Sequence, residues 1–545
     1  MMSYLTKKLK TTFQKLGYCF LIIFSFSFQF CNQKPENEFD KKNIKREINI
    51  LLNNPVETLD PPEILYTTDW QVATNIYESL VAFDKNDKIV PELADSFFIS
   101  EDKLQYTFYL RNDVYFQDSP CFPNGTGRRL TSYDIKYTFE RLANPQNNFP
   151  NWPMLSKVIQ GINKFHHGSE DSISGIIIKD SLTISFVLTK PFKPFLKILA
   201  SPNYFIVPNE AVEYFGTEFK YHPVGTGPFR ISEFRKYKKV QLVKNENYYL
   251  IDSNNVKLPY INSICYTTIK KTENILDKFI NNSTDIIKLD NKNFHKIQKS
   301  KLFKRKYKAI AIDKGNTVRF WGFNFGKENS VNKLVRLAIA KSFNRDIIFK
   351  ESSINKRAES LVPSYLLKNK KIEWYKFSGS VPKYNFSKKI KNDTITILSN
   401  VVYNDLPELE KAITGIGLHY KRIIKPGNYY RNIKKIKPDL FRVNMLPSYP
   451  DPIEYYSLFY SKSSDDVNLC KFHNKEYDRI YEKILYESSD SILSDYYNQL
   501  ENILKQEIAA IYLSHQGATY FLLPKNLKGI NFKYIQMDFR KVYFK

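Results

Sequence analysis

Cysteine, histidine and long apolar runs are all scarce in this chain. Its 545 residues hold five cysteines and seven histidines. Beyond residue 31 only Cys121, Cys265 and Cys470 remain, far apart, and no two have the spacing of zinc ligands. Their odd number leaves at least one thiol unpaired. His166-His167 is the one adjacent histidine pair, and neighbouring side chains on a helix or strand diverge, so it reads as an exposed polar pair rather than a chelate. Neither G-x-S-x-G nor H-E-x-x-H occurs, and no nucleophile has a recognisable base beside it. The sequence gives no argument for catalysis, a metal or a cofactor. Apolar runs are equally sparse. Only Leu16 to Phe30 approaches a membrane span, and it is shorter than the ~20 residues that spanning needs.

That run has a positive lead of Lys7, Lys8, Lys10 and Lys15 and stops at Cys31, after which Asn32-Gln33-Lys34-Pro35-Glu36 is polar, like a tether. The pattern is that of an export signal. It resembles a bacterial lipoprotein signal with Cys31 as the acylated residue, except that Phe30 stands where a small residue is usual.

Acidic residues are the other shortage. Lysine and arginine number 82 against 56 aspartates and glutamates, a net charge of +26. Such an excess raises nucleic acid or an anionic surface as partners. Yet the lysines are scattered among Asn, Ile and Tyr, as in Lys388-Lys389-Ile390-Lys391-Asn392, with no arginine-rich stripe. A solvated basic surface accounts for them; a basic surface adhesin is the competing class and nucleic acid is not expected. With 42% hydrophobic residues over this length, two or three packed domains are expected.

The most informative stretch is His222-Pro223-Val224-Gly225-Thr226-Gly227-Pro228-Phe229. Two glycines allow close backbone approach, two prolines stiffen the segment, and a strand should follow. A phosphate loop is a poor reading, because Arg230 holds the third glycine position. Upstream, Ile76, Tyr77, Leu80 and Val81 are spaced for a short helix. Gln105 to Arg111 alternates as a strand turning through Asn112-Asp113 into Val114-Tyr115-Phe116. Asp134 to Leu142 reads as a helix capped by Thr131 or Ser132.

In order and spacing these segments resemble the family 5 extracellular solute-binding proteins of ABC importers. The octapeptide is similar to NPVGTGPY. Ile76-Tyr77-Glu78-Ser79-Leu80, Pro91-Glu92-Leu93-Ala94-Asp95-Ser96-Phe97, Phe108 to Asp118 and Thr131 to Leu142 each match a family segment. So do Val240 to Tyr249, Arg319 to Asn324, Val331 to Arg345, Tyr449-Pro450-Asp451-Pro452, Asn474 to Asp478 and Tyr497 to Leu504. The likeness runs from about residue 55 to 520. It implies an α/β, two-lobed periplasmic-binding-protein fold (type II, with an extra subdomain), the lobes joined by hinge strands. The expected organisation is a signal over 1–31, lobe I over 32–73, its extra subdomain over 74–214, lobe I again over 215–271, lobe II over 272–515 and the C-terminal part of lobe I over 516–545.

The same resemblance implies a monomer, anchored at the membrane by its lipid, that binds a peptide or peptide-like solute between the lobes and delivers it to a membrane permease. In peptide-binding relatives an Asp before the Tyr of this turn pairs with the peptide's amino group, and a Trp lies three residues earlier. Ser448 and Met445 hold those positions here. A serine hydroxyl cannot neutralise an ammonium group, so a modified or amino-blocked peptide, a sugar or a metal chelate stays open as solute. Arg442 sits where relatives place an arginine and is a candidate for a ligand carboxylate; a structural ion pair is its alternative. Asn444, Tyr449, Trp321, Asn324 and Trp70 complete the candidate cleft, with core packing the alternative for the aromatics. Asp451 and Glu454 read as turn capping and surface charge.

Overall fold

The computed structural model describes residues 47–545, except 148, 150–151, 270–274, 282–283, 290, 313–315, 328–330, 347–355, 368–383, 426–428, 488, 516–518 and 534–535. The signal and Cys31 therefore lie outside the described residues. Among the described ones, no helix is long and apolar enough to cross a membrane.

Two mixed sheets organise the molecule. The first has seven strands in the order Tyr307–Ile312, Thr519–Pro524, Ile286–Leu289, Glu47–Leu52, Ser263–Thr268, Lys239–Lys244 and Phe229–Arg235. Glu47–Leu52 pairs in parallel with a neighbour on each side, which suits the apolar run Ile50-Leu51-Leu52 that it buries at its C-terminal end. The second has six strands in the order Lys356–Arg357, Ala510–His515, Val318–Phe323, Leu440–Met445, Thr394–Ser399 and His419–Ile424. Helices Lys333–Ser342 and Leu406–Gly415 bury Val335, Ile339, Leu409 and Ile413 against it. The chain crosses from the first sheet to the second between Ile312 and Val318 and returns between His515 and Thr519. A boundary at 272 is thus too early. Ile287 and Leu289 belong to the first sheet because they pack with Leu51, Phe279 and Leu522 in its core.

Between Val81 and Phe215 the chain builds a separate layer. Its four antiparallel strands, Ala94–Ile99, Gln105–Leu110, Thr183–Val187 and Ile176–Asp180, are covered by helix Ser132–Ala143. That helix starts as its sequence predicts: Thr131 and Asp134 form a reciprocal capping box. The segment after Asn112 differs from expectation, since Tyr115 makes only an isolated bridge to Arg129.

The glycine octapeptide is explained by what it touches. Gly227 N–H donates to Ile76 O at 2.8 Å, Phe229 N–H to Asn75 O at 3.0 Å, and Gln117 Nε2 to Ile76 O at 2.9 Å. A Cβ on Gly225 would lie 2.2 Å from Ile76 O. Close approach, rather than left-handed backbone, is what demands glycine here. The same contacts correct the helix expected over residues 76–81. Helix Thr67–Ala73 ends before it, and the carbonyls of Asn75 and Ile76 are taken by this crossing loop instead of by a following helical turn.

Candidate functional site

A cavity of about 240 Å³ opens between the sheets. Tyr66, Thr67 and Trp70 come from the start of the first lobe, Asn203 and Tyr204 from the inserted layer, and Tyr430, Asn444, Met445, Ser448, Tyr449 and Glu454 from the second lobe. It continues into an outer chamber of about 490 Å³ through Leu65, Tyr66, Tyr430 and Asp466, which line both. Inward, Thr67 and Leu446 also line a chamber of about 140 Å³ that contains Lys288. Tyr66 and Tyr430 face each other across the lobes with ring centroids 5.7 Å apart.

Of the residues predicted for the cleft, Trp70, Asn444, Met445, Ser448 and Tyr449 line this cavity. Trp321, Asn324 and Arg442 do not. Trp321 and Arg442 are cross-strand partners, so their side chains leave the sheet on one face, and Trp321 lies in the core formed there with the helices. Trp321 is fully buried and donates its indole N–H to Asp405 Oδ2 at 2.6 Å. Arg442 is 4% exposed, with its Nε 3.4 Å from the same oxygen and its guanidinium over the Tyr403 ring at 5.1 Å. An internal carboxylate already holds it, so it is a structural ion pair and not a free anchor. Asn324 follows the far end of its strand, where it donates to Pro438 O at 2.9 Å and accepts from Gly326 N–H. It shapes a turn.

The turn after Leu440–Met445 carries the cleft's chemistry. Asp451 caps helix Pro452–Tyr456, accepting from Ile453 N–H. One turn on, Glu454 is half-buried and reaches back to its own loop. Its Oε1 accepts from Ser448 N–H at 2.7 Å and Ser448 Oγ at 2.9 Å, and Oε2 accepts from Tyr449 N–H at 3.2 Å. Burial, reinforced by the charge of Asp451, pushes its carboxyl up to about 7 in spite of these hydrogen bonds. Glu454 is therefore not a surface charge. Sequence reading missed it because neither its spacing nor its neighbours distinguish it from a helix-start glutamate. Lys288 has no carboxylate partner among the described residues, and burial with Arg319 nearby lowers its affinity for a proton.

Around the cleft's rim the inserted layer sends lysines to the second lobe. Lys157 meets Glu482 at 2.8 Å, Lys193 meets Asp490 at 2.5 Å, and Lys197 meets Asp451 at 3.0 Å. No cluster of metal-ligating side chains occurs among the described residues. His166 instead stacks on Trp152, with centroids 3.6 Å apart. Cys121, Cys265 and Cys470 are free thiols.

Comparison with known proteins agrees with this geometry. The family described as bacterial extracellular solute-binding proteins, family 5 Middle, matches residues 88–391. The dipeptide-binding protein DppE of Bacillus subtilis is 24% identical over 535 residues, covering 91% of each chain. The periplasmic binding protein DppA of Helicobacter pylori, solved with the peptide STSA, superposes with a TM-score of 0.76 at 20% identity, over 92% of this chain and 98% of its own. AgaA of A. tumefaciens R10, solved with agropinic acid, gives 0.75 at 18% identity, over 92% and 99%. The last two establish the two-lobed type II fold.

Proposed function

Because the chain belongs to the bacterial extracellular solute-binding proteins of family 5, we propose that it captures a short peptide or peptide-like solute between its lobes and hands it to the permease of an ABC importer. The observation that carries this reading is the cavity itself, whose walls come from both lobes and the inserted layer. A solute there is buried from two sides, and closure is favoured only by contacts that the closed form makes and the open form lacks. The adjoining chambers carry a carboxylate, Glu454, and an amine, Lys288, that has no carboxylate partner among the described residues, which suits a zwitterion. Neutral peptide groups can meet the intervening polar wall through backbone hydrogen bonds. The protein binds and releases without turnover.

Location follows from the same reading. The chain is exported, Cys31 carries the lipid that anchors it, and it acts as a monomer. A second reading keeps the fold and changes the solute to a non-peptide, such as a sugar, a metal chelate or a modified peptide. Ser448 at the usual acidic position favours it, and AgaA, with agropinic acid in the same fold, gives it precedent. Native mass spectrometry of the purified protein separates the two. A co-purifying set of short peptides supports the first reading; a single non-peptide mass replaces it with the second.

A further inference from the structure

Two carboxylates line the cavity, Glu454 and Asp466; Asp466 is already paired with Lys434 at 2.6 Å, and Glu454 is not at the position where the family motif places its acid. Glu454 is held only by neutral donors, two from Ser448 and one from Tyr449. No lysine, arginine or histidine pairs with it among the described residues, whereas Asp451, three residues earlier, is taken by Lys197. Keeping a partly desolvated carboxylate charged without a cation is unfavourable, and an incoming cation removes that cost. Capacity remains for it: Oε1 accepts two hydrogen bonds but Oε2 only one, leaving a lone pair. The same cavity is lined by two further polar groups with nothing to bond. The Trp70 indole N–H and the Tyr449 hydroxyl belong to side chains 6% and 2% exposed, and neither atom has a hydrogen-bond partner among the described residues. Buried donors of this kind are costly unless a ligand supplies acceptors.

We propose that Glu454 receives the ammonium group of the solute in place of an acidic side chain at residue 448, and that Ser448 aims it. Trp70 and Tyr449 then donate to carbonyl oxygens next to that ammonium. The solute class is a peptide with a free amino terminus rather than a blocked one. This rests on the reading of the protein as a binder of peptide-like solutes. The competing account is that Glu454 merely ties its own loop, in which case its loss weakens all ligands alike.

Calorimetry on the full chain with trialanine and N-acetyl-trialanine distinguishes these. In the wild type, acetylation is expected to weaken binding at least thirtyfold. Glu454→Gln should weaken the free peptide by a similar factor and leave the acetylated one within threefold. If acetylation costs as much in Glu454→Gln as in the wild type, or if both peptides weaken equally, the proposal is overturned although peptide binding stands. If no di- to pentapeptide binds the wild type, the peptide reading itself fails and takes the proposal with it. Should Glu454→Gln not fold, Glu454→Asp shortens the reach by one methylene and should cut the preference for the free peptide at least fivefold; an unchanged preference overturns the assignment.

Discussion

Asp405 and Glu454 serve the same strand-and-turn segment of the second lobe, yet their surroundings differ in one respect. Asp405 lies in the core side of the sheet with a cation, Arg442, and an indole N–H already against it. Glu454 lies at the cavity with peptide N–H groups and a hydroxyl and, among the described residues, no cation. A third carboxylate, Glu501, completes the series: among the described residues it too has only neutral donors, Leu361 and Val362 N–H and the Tyr456 hydroxyl, but it is wholly buried. An internally paired carboxylate stabilises the lobe. A sealed unpaired one makes the lobe sensitive to pH. Only the unpaired carboxylate open to a cavity can be completed by something from outside.

The sharpest way to break this comparison is to remove the internal cation. Arg442→Ala leaves Asp405 buried without its charge partner and should destabilise the protein by about 3 kcal/mol in denaturant titration. Solute affinity of the folded fraction should stay within threefold. A large loss of affinity at unchanged stability would return Arg442 to the cleft.

Glu501 has the next effect. Burial raises its carboxyl from an ordinary 4.5 to about 8, so the folded state holds the proton more tightly than the unfolded one. Its favourable contribution is complete below pH 4.5 and is lost as pH rises to 8. Glu501→Gln keeps an acceptor for the three donors and should flatten this slope, raising relative stability at pH 8 over pH 5 by about 3 kcal/mol. Parallel stability curves for the two proteins across that range would contradict the account.

Glu454 should titrate in binding rather than in folding alone. It must be ionised to hold an ammonium, and it ionises at about 7, so affinity for a free-amine peptide should fall about tenfold from pH 8 to pH 6. The groups facing it are Asp451, itself paired with Lys197, and the phenols of Tyr204, Tyr449, Tyr455 and Tyr481. The phenols are all pushed above their ordinary value and stay neutral in this window. Affinity that is flat with pH would place the ammonium elsewhere.

The smallest effect belongs to the rim. Lys193 and Asp490 are both about half exposed, so Lys193→Ala should change stability by less than about 0.5 kcal/mol and affinity less than twofold. A tenfold loss of affinity would show that closure depends on the rim and not on the cavity.

Much of the fold is legible in the sequence because it is written in local terms. The capping box at Thr131 and Asp134, the alternation of Gln105–Leu110 and the strand after Pro228 each depend on residues near in the chain. The helix expected at residues 76–81 failed for the converse reason. Its carbonyls are claimed by Gly227 and Phe229, about 150 residues away, and apolar spacing cannot register that competition. The lobe boundary failed likewise, since Ile286–Leu289 is assigned by the strands it pairs with, Glu47–Leu52 and Thr519–Pro524.

By itself the sequence determined the family, because its motifs are patterns carried by contiguous residues, whereas the need for glycine at 225 and 227 comes from the distant carbonyl of Ile76. Only the tertiary structure decided which charges face the cleft. Arg442 turned inward because its cross-strand partner is Trp321 and their common face is covered by helices. Glu454 turned toward the cavity because the Asp451 cap starts a short helix that carries it back over Ser448. Sheet registry and helix placement, not residue type, separate a core ion pair from a binding group.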